Sequence, residues 1–146
     1  MYKKILIATD LSPRSKNALK KAIQFAHYFK SELILLNVHE EFMNKQELIM
    51  SRVSVVTLEK LYDDITIKAK NDLKKMIHDF KGDDIKVSIF ITDGKASFQI
   101  INVSTKHKVD LIIMGVNGKD SLSDYIKGTT TDNVINKSKI PVMTIP

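Results

Sequence analysis

The chain has 146 residues, enough for one domain with a single core, and its 43% apolar and 27% charged residues are ordinary for a globular protein. It contains no cysteine, which excludes disulfides, thiolate catalysis and cysteine-ligated zinc. The formal net charge of +6 comes from scattered lysines, with only Arg14 and Arg52 as arginines and no interleaving of bases with aromatics, so we expect no nucleic-acid partner.

The first predicted element is the apolar run over residues 4–9, which is typical of a buried parallel strand. Two lysines precede it, as in a signal peptide, but the apolar stretch over residues 5–8 is too short for that role. No other apolar run approaches the roughly 18–20 residues of a membrane span. We therefore expect a cytoplasmic protein that does not bind membranes.

Ser12 and Pro13 then supply an N-cap and a proline at the first helical position, and apolar residues recur at helical spacing up to residue 30. Strands and helices continue to alternate along the rest of the chain. The periodicity predicts a strand over 32–38, a long loop over 39–55, a helix over 58–80 that Gly82 ends, a strand over 85–92, a helix from Ala96, a strand over 109–114, a short helix over 129–138 and a last strand over 141–145.

This order predicts an α/β fold, a single doubly wound domain over residues 1–146 with a five-stranded parallel sheet and helices on both faces. In such sheets, ligands bind beyond the carboxyl ends of the strands, where the winding direction reverses. The segments after the first, second and fourth strands are therefore the places where a ligand site is expected.

The segment after the fourth strand holds three of the five glycines, in the pattern Gly115-x2-Gly118-x9-Gly128-Thr129. Glycine lets backbone N–H groups approach an anion closely, and the unpaired N–H groups of a helix N-terminus favour phosphate. Thr129, Thr130 and Thr131 add three hydroxyl donors at the predicted start of the fourth helix. These residues predict a phosphate site, although the spacing fits neither the P-loop nor the dinucleotide fingerprint.

The same glycine spacing is the ATP-binding signature of the universal stress protein family, which the chain resembles from end to end. Residues 4–10 resemble the opening strand and acidic residue of that family, residues 109–115 its fourth strand, and residues 140–146 its closing strand. The resemblance implies the adenine nucleotide alpha hydrolase-like fold with sheet order 3-2-1-4-5. It also implies an ATP-binding regulatory module of the stress response, with Mg²⁺ or Mn²⁺ on the phosphates and a homodimer formed through the strand at 141–145.

The resemblance also assigns residues to parts of the nucleotide. It places Asp10 at the nucleoside end, which agrees with electrostatics, because a carboxylate repels phosphate but accepts hydrogen bonds from ribose or adenine. It places the backbones of Ala8, Thr9 and Val38 around the adenine, with Met114 beside them. The residues that it places along the ribose and phosphates are Gly115, Asn117, Gly118, Gly128, Thr129 and Thr131.

Where this chain has Asn117, the family often has a basic residue, so the phosphate contact expected there carries no charge. Lys119 or Lys127 could compensate for that charge. In this hypothesis, ATP orders the segments 116–127 and 39–55 and thereby changes a surface that partner proteins recognise.

The sequence gives no sign of an efficient catalytic centre. His27, His39, His78 and His107 lack metal-ligand spacing, and no serine has a recognisable histidine and acid partner. The lysine, the Walker-type aspartate and the water-orienting residue of a P-loop ATPase are also missing, so we expect slow ATP hydrolysis at most.

Two other functions stay open at this stage. One is an interaction module of the same fold that does not bind nucleotide. The other is a receiver domain, in which Asp93 after the third strand would accept a phosphoryl group. Receivers carry an acidic pair after the first strand, whereas Asp10 stands alone there.

Overall fold

The computed structural model describes residues 1–40, 54–116 and 129–146. Within these ranges strands and helices alternate along the chain, as the sequence pattern predicts. They are β1 Lys4–Ala8, α1 Pro13–Phe29, β2 Glu32–His39, α2 Val55–Asp79, β3 Val87–Asp93, α3 Ala96–Lys106, β4 Leu111–Gly115, α4 Thr130–Lys137 and β5 Val142–Ile145.

The five strands form one parallel sheet in the order β3-β2-β1-β4-β5, which confirms the predicted doubly wound α/β fold. β1 is the central strand, and Ile7 pairs with Leu35 of β2 on one side and with Ile113 of β4 on the other. The winding direction reverses at β1. The carboxyl ends of β1, β2 and β4 therefore meet at the point where such sheets bind ligands.

Two apolar clusters lie on the opposite faces of the sheet, because successive side chains of a strand point to opposite sides. Ile5 and Ile7 of β1 pack with the cluster that includes α1 and α2, whereas Leu6 packs with the cluster that includes α3 and α4. All three side chains are fully buried. This burial on both faces explains why the strand is a continuous apolar run instead of an alternating one.

Several element boundaries differ from the predicted ones for local reasons. α2 begins at Val55, earlier than predicted, because Ser54 caps it: the Ser54 Oγ accepts a hydrogen bond from the Thr57 N–H at 3.2 Å. β4 begins later than predicted, because Val109 belongs to the turn that ends α3. Lys108 has a φ of 52°, and the Val109 N–H donates to the Ser104 carbonyl at 2.9 Å.

The predicted loop over 39–55 is too long at both ends, because His39 is the last residue of β2 and Val55 the first of α2. Its remaining part, residues 41–53, lies outside the described residues, as do residues 117–127 of the predicted segment 116–127. In the described ranges, no helix is both long enough and apolar enough to cross a membrane.

Gly115 lets the end of β4 lie directly against the first turn of α1. A Cβ atom added to Gly115 would stand 3.1 Å from the Arg14 carbonyl carbon, 3.2 Å from the Arg14 oxygen and 3.2 Å from the Ser15 nitrogen. All three are backbone atoms, which cannot rotate away as the end of a side chain can. The close approach fixes the distance between β4 and α1 at the carboxyl edge of the sheet.

We expect Gly115→Ala to lower the free energy of unfolding by about 1–3 kcal/mol, because the added methyl group must push the first turn of α1 away from β4. Urea denaturation followed by circular dichroism measures this change. An unfolding midpoint equal to that of the wild type would show that α1 can shift without cost, and would contradict the tight contact.

Candidate functional site

A cavity opens at the carboxyl edge of the sheet, where the winding direction reverses. The ends of β1, β2 and β4 form its floor, and the first turns of α1, α3 and α4 form its walls. In the described part of the chain its lining residues are Ala8, Thr9, Asp10, Ser15, Leu36, Val38, Glu40, Ala96, Ile100, Met114, Gly115, Thr129, Thr130 and Thr131.

Every predicted site residue that the structure describes lies in this lining. These residues are Ala8, Thr9, Asp10, Val38, Met114, Gly115, Thr129, Thr130 and Thr131. The other three, Asn117, Gly118 and Gly128, lie outside the described residues, as do Lys119 and Lys127. The separate sequence signals after the first, second and fourth strands thus belong to one cavity.

Five lining residues were not predicted from the sequence, and these are Ser15, Leu36, Glu40, Ala96 and Ile100. Leu36 and Ile100 belong to apolar patterns that only indicate burial. Ser15 and Ala96 lie in the first turns of helices, and their position after a parallel strand is the one signal that could have drawn attention to them. Glu40 follows the second strand, but nothing in its local sequence distinguishes it from other surface acids.

One side of the cavity is apolar. Leu36, Ile100 and Met114 are between 1% and 5% exposed and belong to the core cluster on the α3 and α4 face, against which Ala8 and Val38 also pack. These side chains present carbon and sulfur atoms to the cavity. An apolar wall with a few convergent polar groups is the usual composition of a small-molecule site.

The turn between β1 and α1 is held by a buried hydrogen-bond network. The Thr9 Oγ1 donates to the Ser15 Oγ at 3.0 Å and accepts from the Leu11 N–H at 3.1 Å. From β2, the Asn37 side-chain amide donates to the Thr9 carbonyl at 2.8 Å. This network fixes the backbone that carries Asp10.

Asp10 lies at the rim of the cavity with its side chain exposed. Its Oδ1 accepts a hydrogen bond from the Ser12 N–H at 2.9 Å, so the carboxylate closes the turn that leads into α1. A carboxylate has several acceptor positions, and this bond uses only one of them. Asp10 can therefore hold the turn and still accept a hydrogen bond from a ligand.

The N-terminus of α4 forms the opposite side of the cavity. Thr129 and Asp132 make a capping box, in which the Thr129 Oγ1 accepts from the Asp132 N–H at 3.1 Å and the Asp132 Oδ2 from the Thr129 N–H at 3.4 Å. The Thr131 Oγ1 donates to the Gly115 carbonyl at 3.3 Å, and its side chain is buried. Thr131 thus joins α4 to β4 through its hydroxyl.

The residues that alternative functions would use lie elsewhere. Asp93 ends the edge strand β3 and does not line the cavity. Its carboxylate lies near Tyr62 of α2, where burial and then the charge of Asp93 raise the pKa of the Tyr62 phenol.

The histidines His27 and His78 form exposed pairs with Asp84 and Asp83, each at 2.9 Å. The described ranges contain no group of three or more metal-ligating side chains.

Comparison with known proteins places this geometry in a family. The model of the universal stress protein family matches residues 1–146. A universal stress protein of Methanocaldococcus jannaschii is 33% identical, over 99% of this chain and 95% of that protein. The solved structure of that protein superposes with a TM-score of 0.78 and covers 99% of this chain and 96% of its own.

Two further solved structures share the fold at lower identity. A universal stress protein in complex with cAMP has a TM-score of 0.71 at 19% identity, over 98% of this chain and 95% of its own. One from Archaeoglobus fulgidus in complex with dAMP has a TM-score of 0.65 at 16% identity, over 99% of this chain and 98% of its own. With the family model matching its whole length, the chain belongs to the universal stress protein family.

Proposed function

We propose that this chain is a cytoplasmic, single-domain regulatory module of the stress response that binds ATP in the cavity at the carboxyl edge of the sheet. The observation that carries the proposal is the two-sided composition of that cavity. An apolar wall suited to a base faces a helix N-terminus suited to phosphate. Both lie at the carboxyl ends of the strands, where doubly wound sheets bind ligands.

The base end of the proposed site is the apolar wall. Adenine is a flat ring that gains from burial against Leu36, Ile100 and Met114, which are already desolvated in this structure. The backbones of Ala8, Thr9 and Val38 border that wall, and Asp10 stands at the rim, where ribose hydroxyls would reach it. The placement of Asp10 away from phosphate follows from its charge.

The phosphate end of the proposed site is the N-terminus of α4. Its positive dipole end and the hydroxyls of Thr129 and Thr130 favour an anion there. On the sequence pattern, Asn117, Gly118 and Gly128 complete this end. Mg²⁺ or Mn²⁺ would be held mainly by the phosphates and water. The net charge of +6 favours the approach of a polyanion.

The complexes of two family members with cAMP and dAMP support an adenine nucleotide as the ligand class. Regulation is favoured over catalysis because the sequence lacks the lysine, the Walker-type aspartate and the water-orienting residue of a P-loop ATPase. We therefore propose that hydrolysis of the bound nucleotide is slow at most.

Isothermal titration of the full chain with ATP, ADP and cAMP in the presence of Mg²⁺ tests the proposal. We expect saturable binding of at least ATP. If no nucleotide binds at about 1 mM ligand, where even a weak site with a binding free energy near −4 kcal/mol is half-occupied, the chain is instead an interaction module that does not bind nucleotide. Acid extraction of gently purified protein gives an independent answer, since a tight ligand would copurify.

We expect Gly128→Val to abolish ATP binding, because the proposed phosphate contact at Gly128 requires backbone N–H groups that a branched side chain would shield. The control is Asn136→Val, which adds the same side chain at an exposed position of α4 outside the cavity. Both variants should keep the circular dichroism spectrum of the wild type. Equal ATP affinity for the two variants would contradict the placement of phosphate at this loop.

We also propose that the chain forms a homodimer through β5. This strand lies at one edge of the sheet. The carbonyls of Pro141 and Ile145 accept hydrogen bonds from the N–H groups of Ile112 and Val116. In a parallel strand, every second residue bonds to the same neighbouring strand. Since Pro141 and Ile145 bond to β4, the backbone groups of Val142 and Thr144 point away from β4. An apolar edge strand with outward donors is suited to pairing with a second copy.

We expect Thr144→Pro to weaken the dimer at least about tenfold, because it removes an outward N–H group and leaves the bonds between β5 and β4 in place. Thr144→Ala keeps the N–H group and is the matched control. Sedimentation at roughly tens of micromolar protein measures both. A wild type that is only monomeric in this range contradicts the proposed dimer.

A further inference from the structure

Glu40 follows β2 directly and lines the cavity with an exposed carboxylate. Its Oε1 accepts a hydrogen bond from the backbone N–H of Ala96 at 2.8 Å. Ala96 is the first residue of α3, whose N-cap residue, Lys95, makes no side-chain capping bond. Glu40 thus supplies, from the end of another strand, the capping acceptor that the sequence of α3 lacks.

The helix ends around the cavity therefore differ in whether a carboxylate lines the cavity beside them. At α1 and α4 the capping atoms are the hydroxyls of Ser12 and Thr129. Carboxylates lie at these ends too, since Asp10 accepts from the Ser12 N–H and Asp132 from the Thr129 N–H, but Asp132 at α4 does not line the cavity. At α3 the capping group is a carboxylate, whose charge offsets the positive end of the helix dipole. An anionic phosphate is therefore repelled from the α3 side, and that side is left for an uncharged part of the ligand.

Glu40 also lies beside the apolar wall. Val38 precedes it by two residues on β2, and Ala96 and Ile100 of α3 line the same side of the cavity. A flat base buried against this wall would turn an edge toward the Glu40 carboxylate. The bond to Ala96 holds one carboxylate oxygen, which leaves the second oxygen as an acceptor with a defined position.

We propose that Glu40 selects the base of the nucleotide by accepting a hydrogen bond from an exocyclic amino group, as adenine carries. Hypoxanthine carries a carbonyl oxygen at the same position, and two acceptors repel each other. This inference rests on the proposed nucleotide binding and adds the selectivity of the site. Beside hypoxanthine, the carboxylate would also lose hydrogen bonds to water and gain no donor in their place. The binding free energy of the hypoxanthine nucleotide is therefore less favourable than that of the adenine nucleotide.

A capping role alone would give a different result. In that case Glu40 would hold α3 in place, and its replacement would weaken all nucleotides equally. A role through the metal would also differ, because the effect of replacement would then require Mg²⁺. Comparing two bases, with and without Mg²⁺, therefore separates selection of the base from both alternatives.

The experiment is isothermal titration of the full chain with ATP and with inosine triphosphate, each with Mg²⁺ and with EDTA. For the wild type we expect ATP to bind about 10- to 100-fold more tightly than inosine triphosphate, the range for a hydrogen bond to a charged group. In Glu40→Gln, the amide oxygen can still accept from Ala96, and the amide N–H₂ can donate to the hypoxanthine carbonyl. The ratio of the two affinities should then fall to within about threefold.

Glu59→Gln is the matched control, since Glu59 is an exposed residue of α2 outside the cavity lining and loses the same charge. Its affinity ratio should equal that of the wild type, and urea denaturation should show all three proteins folded. A Glu40→Gln ratio equal to that of the wild type, or an effect confined to Mg²⁺, overturns the inference. Binding of ATP and inosine triphosphate with equal affinity to the wild type overturns it while leaving the proposed function intact. Binding of neither overturns both.

Discussion

The end of β4 lies against the first turn of α1 at Gly115, so closely that a Cβ atom there would have to push the α1 backbone away. This contact brings Ser15 of α1 to the strand ends, where its hydroxyl joins Thr9 in the network that holds the β1–α1 turn. On the other side, the carbonyl of Gly115 accepts the hydroxyl of Thr131 and so holds the start of α4. One residue without a side chain thereby sets the relative position of two helices and two strands. The cavity that they enclose follows from that spacing.

The cavity separates its chemical features by element. β2, α3 and β4 contribute the apolar wall, α4 contributes hydroxyls, and the two carboxylates come from the residues after β1 and β2. Each carboxylate already accepts a hydrogen bond from a backbone N–H group. Asp10 accepts from Ser12, and Glu40 accepts from Ala96. Such groups are positioned before any ligand arrives, so little ordering is required of them on binding. The same hydrogen bonds that stabilise the turn and the helix also orient the acceptors toward the cavity.

The order of elements could be predicted from the sequence because the strong signals are local. The short apolar run around Ile5 and Ile7 is typical of a strand buried on both faces, and Ser12-Pro13 marks a helix start; the structure confirms both. Boundaries were less predictable where a cap or turn decides them, as at Ser54 and Val109. Glu40 was missed because its partner, Ala96, is 56 residues away in the chain. Gly115 was predicted as a glycine that lets the backbone approach an anion. In the structure, the close approach that requires a glycine there is that of the α1 backbone.

The reversal of winding at β1 also bears on how the protein folds. β1 pairs with β2 nearby in the chain, but its other neighbour is β4, and Ile5 lies opposite Leu111. A pairing across so many residues requires the closure of a long loop, which slows folding relative to local pairing. The cavity exists only after that closure. A partly folded chain with β1 and β2 alone would lack one side of it, so any ligand of the cavity binds the completed sheet and shifts the folding equilibrium toward it.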